Sequence, residues 1–191
     1  MNDRSGTGEQ DVRQRLARTT RGVHEALHVH GVMGRLAAKG LTLDQYRSAL
    51  TVLASSFAAI ENRRADLAVW ADFGLAIELQ ALENDVGCVA APVAGDWLSD
   101  DLAVLGALYV AHGSGFGRQV LAKSVRLSLD EAPRAYMELP ADPKRWRSLL
   151  AALEHPRPCS EVDAIERGAV AAFDLVSRLA DAQLLDLQVG A

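Results

Sequence analysis

Cysteine is scarce in this chain. The two that occur, Cys88 and Cys159, lie far apart and form no Cys-x-x-Cys pair. That argues against a disulfide framework or a structural zinc site and fits a reducing compartment. An excess of positive charge is also lacking: 20 Lys and Arg against 25 Asp and Glu leave a net charge of −5, so a nucleic-acid-binding surface is not expected. No apolar run approaches the ~18 residues that a membrane-spanning helix needs. The polar stretch Met1–Gln10 carries no signal-peptide core,. Asn-Gly and Asp-Gly hairpin turns are missing, and Val and Ile fall inside helical patterns, so no β-strand is predicted. Internal repeats and low-complexity tracts are absent as well. These absences together predict a soluble, cytoplasmic protein that binds neither membrane nor nucleic acid.

What is present is helical periodicity. With 191 residues, 49% of them hydrophobic, the chain suits one all-α domain of seven or eight helices. Residues 1–9 read as a mobile tail and 10–187 as the domain. A first helix is predicted from Asp11 to His28, with Val12, Leu16, Val23 and Leu27 on its apolar stripe and His24 beside them. A short helical piece follows at Val32–Ala38, ending at Gly40. Thr42-Leu-Asp-Gln45 has the form of a capping box. The helix behind it steps through Leu43, Tyr46, Leu50, Leu53, Phe57 and Ile60,, to end near Arg63 or Arg64. Leu67 to Leu82 reads as another helix, and Gly87 to Gly95 as a connection. Ser99 is the expected cap of a long helix running to about Leu127. Leu129 to Lys144 holds three prolines and reads as mostly loop. Arg145 to Leu153 forms a short helix. Ser160 caps the last one, along which Val162, Ile165, Ala169, Phe173, Val176 and Ala180 align.

Two stretches carry chemistry. In the long helix Gly113, Gly115 and Gly117 interrupt an otherwise helical pattern, each costing about 1 kcal/mol relative to Ala in a helix interior. Such a run is expected where a flat ligand approaches the backbone or a helix bends; a plain glycine-rich loop between two helices is the other reading. A P-loop is disfavoured, since no strand precedes the run and no Lys-Ser/Thr ends it. Ser114 is not in a Gly-x-Ser-x-Gly nucleophile elbow. Among the five histidines, His24 and His28 share a helix face at a spacing that can bind metal. Glu25 and His28 form one half of a di-iron Glu-x-x-His motif, whose second copy is missing. Haem fits what remains: one imidazole on an early helix as iron ligand, and a late helix thinned by glycine. The alternative is a His24 that is merely buried in the core.

The two stretches together resemble the haem oxygenase family. Leu16-Ala-Arg-Thr-Thr20-Arg-Gly-Val-His24 is similar to the family's proximal motif, and Tyr109-Val-Ala-His-Gly113-Ser-Gly-Phe-Gly117-Arg118 to its distal one. The likeness extends over nearly the whole chain: the helix with Tyr46 and Phe57, the one opening at Trp146, and the last one around Phe173. The resemblance implies a haem oxygenase-like fold with a glycine-kinked distal helix. It also implies oxidative opening of haem to biliverdin, carbon monoxide and ferrous iron. Haem is then substrate and cofactor, with O2 and an external reductant consumed and a ferredoxin, flavodoxin or reductase as electron donor. By the same resemblance His24 is the iron ligand. Gly113, Ser114 and Gly117 border the distal reaction space, and Tyr109, Phe116, Arg118 and Arg147 contact the haem. Three departures stand out: Ala17 where a basic residue is usual, His112 where an acidic one is common, and Arg118 where a small one follows Gly117. Arg18, Arg21, Lys144 and Arg147 are the candidates for the missing cation. The departures leave room for a second reading, a haem-binding or haem-sensing protein that does not turn haem over.

Overall fold

The computed structural model describes residues 12–87 and 97–189, and it is all-α there. The expected tail at 1–9, the Asp11 helix start and most of the 87–95 connection lie outside the described residues. Seven α-helices follow in order: α1 (Val12–Val29), α2 (Leu43–Asp66), α3 (Ala76–Val86), α4 (Asp101–Ser128), α5 (Ala135–Glu138), α6 (Pro143–Glu154) and α7 (Cys159–Val189). Short 3-10 turns stand at Met33–Ala37 and Ala71–Phe73. None of the described helices is long and apolar enough to cross a membrane.

Local chemistry sets most boundaries. The capping box forms as expected: Gln45 N–H donates to Thr42 Oγ1 at 3.3 Å, and Thr42 N–H to Gln45 Oε1 at 3.2 Å. The predicted 67–82 helix is replaced by a break. Ala68 and Trp70 take left-handed φ values of 54° and 49°, a 3-10 turn follows, and α3 starts only at Ala76. Trp70 is tied down there by its indole N–H, which donates to the Asp101 carbonyl at 2.6 Å. Tertiary anchoring therefore overrides helical periodicity in this segment. The cap of α4 is Asp100, which accepts from Ala103 N–H at 2.8 Å, while the expected cap, Ser99, donates to the Asp100 carboxylate. Asp142 caps α6 by accepting from Lys144 and Arg145 N–H, with Pro143 opening the helix. α7 begins at Cys159, so Ser160 lies inside its first turn rather than capping it.

α4 and α7 form the most extensive helix pair, and α1 and α2 also pack on α7. Glycine sets the closeness of the α4–α7 approach. A Cβ on Gly106 would stand 1.9 Å from the Ile165 carbonyl oxygen, and one on Gly168 would stand 1.9 Å from the Ala103 carbonyl oxygen. The two backbones therefore meet at these points with no room for a methyl group. Around them lie the fully buried Leu105, Leu108, Leu149, Leu153 and Ile165. Gly106→Ala should destabilise the fold by about 1–3 kcal/mol or more, since the clash is with backbone and no side chain can rotate away. Urea unfolding followed by circular dichroism measures this; an unchanged midpoint would contradict the packing described.

Candidate functional site

A cavity of about 650 Å³ opens beside the α4–α7 pair, a size typical of small-molecule sites. α1 contributes Ala17, Arg21, His24, Glu25 and His28, and α2 contributes Leu53, Phe57 and Ile60. α4 contributes Tyr109, Gly113, Ser114, Phe116, Gly117 and Arg118, while α7 adds Ala172, Phe173 and Val176. Tyr136, Met137 and Trp146 also line it. The wall is largely apolar, and its charged side chains, apart from Arg118, come from α1.

His24 is not packed into the core. It is exposed toward this cavity, its ring set edge-on to Phe173 at 5.9 Å and to His28 at 4.5 Å between centroids. Partial withdrawal from water, and then the neighbouring His28, hold its pKa below the usual histidine value. The neutral ring, with a lone pair free for a metal, is therefore favoured. The reading of His24 as a plain core residue is thus overturned.

Gly113, Gly115 and Gly117 sit inside one unbroken α-helix rather than in a loop. Protein packing demands glycine at none of the three: even at Gly115 a Cβ would make only an ordinary 3.6 Å contact with the Arg118 guanidinium. A Cβ on Gly117 would meet no protein atom within 4 Å, and one on Gly113 would make only an ordinary 3.6 Å contact with the Trp146 ring. Both border the cavity, so the space their missing side chains leave belongs to it. Next to them Tyr109 stacks on Trp146 at 5.5 Å and Phe116 meets the same indole edge-on at 5.3 Å. This builds an aromatic wall suited to a flat, apolar ligand.

Two hydroxyls face the same space. Ser114 Oγ donates its single proton to the Ala111 carbonyl at 2.7 Å, so across the 3.4 Å separation from Tyr136 Oη the phenol is the donor,. Burial pushes the Tyr136 phenol up and keeps it protonated. Tyr136 is set in place by Asp85, whose carboxylate accepts from the N–H groups of Ala135 and Tyr136 at 2.7 and 2.9 Å. The sequence gives no sign of Tyr136, because a helix of four residues leaves no periodicity to detect.

The three departures resolve differently. Ala17 does line the cavity, and among the four cations considered in its place only Arg21 does so. Arg18, Lys144 and Arg147 are exposed and outside the lining; Arg147 is therefore not brought to the site. Arg118 is buried, with its guanidinium donating to the Leu139 carbonyl at 3.0 Å and packed on one face of the Tyr136 ring, 4.6 Å from its centre. It borders the cavity as a fixed cation beneath the phenol rather than as a mobile arm. His112 lies away from the cavity altogether. Its Nε2–H donates to the Phe73 carbonyl at 2.8 Å, and its Nδ1 stands 3.9 Å from Glu78, which in turn accepts from Arg145 at 2.5 Å. That cluster joins α3, α4 and α6 and has no part in lining the site.

No protein-family model matches the chain, and no curated protein matches it by sequence. Solved structures do match. The haem oxygenase from Leptospira interrogans superposes with a TM-score of 0.64 at 16% identity, over 89% of this chain and 98% of that one. Haem oxygenase-1 from the cyanobacterium Synechocystis, solved in complex with haem, gives 0.65 at 13% identity, over 94% and 96%. The chain therefore has the all-α fold of these haem oxygenases along nearly its whole length. At such low identity the likeness extends to the fold alone.

Two outcomes test this geometry. Gly117→Ala should leave the ligand-free fold as stable as before, or up to about 1 kcal/mol more stable through helix propensity, as thermal melts will read; a loss of stability would mean that the space beside Gly117 is filled by protein. Burial holds the His112 pKa below its usual value, so the unfolded chain binds the extra proton first. The corresponding stability is complete above ~6.5 and is lost as pH falls through that value toward the folded pKa. His112→Gln should narrow the difference in urea stability between about pH 7.5 and about pH 5.5; an equal difference in variant and wild type would remove His112 from the acid response.

Proposed function

We propose that the chain is a haem oxygenase, opening the haem ring to biliverdin, carbon monoxide and ferrous iron in the cytoplasm. O2 is the oxidant, and electrons come from a ferredoxin, flavodoxin or reductase. One observation carries this reading. A single apolar cavity is lined both by an imidazole held toward its neutral form, His24 on α1, and by two glycines of α4 whose missing side chains no protein atom replaces. The match of the fold to a haem-complexed structure supports it.

The residues present fit the group. His24 would hold the iron, and Arg21, on the same helix and in the same lining, is the cation available to a propionate. The Tyr109–Trp146–Phe116 wall would take a face or edge of the macrocycle, and Gly113 and Gly117 keep side-chain bulk away from it. When bound, haem supplies an iron centre that activates dioxygen beside the ring to be opened. The chain's own contribution is positional and electrostatic. Apolar walls exclude bulk water, the Tyr136 hydroxyl holds a proton against Ser114, and Arg118 fixes positive charge beneath that phenol.

Hemin added to the purified protein should give a Soret band that decays to a broad biliverdin absorption on addition of ascorbate or a ferredoxin couple. A ferrous haem spectrum that persists under oxygen would instead mark a haem-binding or haem-sensing protein, and no Soret shift would remove both readings. His24→Ala should lose the axial nitrogen signature and most turnover, with exogenous imidazole restoring them. Unchanged spectra and rates in that variant would refute the ligand assignment.

A further inference from the structure

The haem reading uses His24 and leaves His28 without a task. The two residues are one turn apart on α1, line the same cavity, are both exposed, and hold their rings 4.5 Å apart. We propose that, when no porphyrin fills the cavity, His24 and His28 together form a two-imidazole site for a divalent transition-metal ion.

Two histidines at this helical spacing form a well-matched pair of metal ligands. The rings now meet edge to face; as both are exposed, side-chain rotation can turn one nitrogen of each toward a shared ion without moving the backbone. Nitrogen ligation selects zinc, nickel, copper or cobalt over calcium or magnesium. The neighbouring charges are Glu25, exposed in the same lining, and Arg21 one turn earlier; the carboxylate offsets the cation. His30 is not a third ligand. Its Nε2 pairs with Asp181 at 3.1 Å and its Nδ1 accepts from Val32 N–H at 3.1 Å. Among the described residues no cluster of three or more His, Cys, Asp or Glu is placed to hold a metal. The ion would therefore keep water in its remaining positions and exchange readily. An ion on the pair engages the imidazole that a porphyrin iron would need, so free metal would oppose haem loading.

Cobalt(II) titration of the metal-free full chain at about pH 7.5 is the test. Visible absorption and equilibrium dialysis provide the readouts. One ion per chain is expected, displaced by zinc. His28→Ala and His24→Ala should each weaken uptake by more than about tenfold, while His155→Ala, an exposed histidine outside the cavity, should not. Circular dichroism melts check that each variant is folded. Full-strength uptake in folded His28→Ala, or no uptake by the wild type, would overturn the proposal. Cobalt uptake through the pair in a protein that gives no Soret band with hemin would sustain this site and refute the haem reading, so the two fail separately.

Discussion

The backbone-to-backbone approach of α4 and α7 is the constraint on which the rest of the structure depends. At Gly106 and Gly168 each helix fills the position that a side chain on the other would occupy. This contact fixes the first half of α4 in rotation and height. The residues two to three turns later, Gly113, Ser114 and Gly117, are then presented to the cavity by helical geometry alone. α1 rests on α7 as well, so His24 and the distal glycines are positioned from one shared support. Ion pairs from Arg15 to Asp163 and Glu166 cross the α1–α7 seam. They are partly exposed and add little beyond orientation; the apolar contact and the glycine approach set the geometry.

The glycines of α4 therefore divide into two kinds that look the same in the sequence. Gly106 sits in a regular apolar pattern, and nothing there marks it as more than a small core residue. Only the partner backbone shows that a methyl group cannot fit. Gly113 and Gly117 stand out because they are clustered and lower helix propensity, yet their helix is intact and their neighbours leave space. The visible cluster points to the ligand side, and the inconspicuous residues hold the fold together. A local energetic cost with no packing reason is what made the site legible.

Where periodicity was long, the sequence reading found the elements: α1, α2, α4 and α7 lie within a residue or two of the expected spans where described. It failed where a single distant contact decides the backbone. The 67–75 segment has a helical pattern, but Ala68 and Trp70 take left-handed backbone where the Trp70 indole bonds the first residue of α4. α5 exists because the buried Asp85 carboxylate accepts its first N–H groups across 50 residues of chain. Sequence spacing carries no trace of such a partner. Arg147 was a candidate by its place on α6, but the side of the helix facing the cavity is set by Trp146 stacking on Tyr109, which directs its neighbour to solvent.

Departures from a motif have weight only where the side chain reaches the site. His112 is one residue from Gly113 and stands where the resembled motif commonly has an acidic residue. However, a helix turns by about 100° per residue, and this imidazole faces Phe73, Glu78 and Arg145 instead. Arg118 reaches the site but is anchored by the Leu139 carbonyl and the Tyr136 ring, so its bulk is directed beneath the phenol. Ala17 is the departure that changes the cavity wall itself, and Arg21, one turn further along the same face, brings a cation back to it. Of the three substitutions, Ala17 and Arg118 border the cavity that His24 and the α4 glycines also line, and His112 does not.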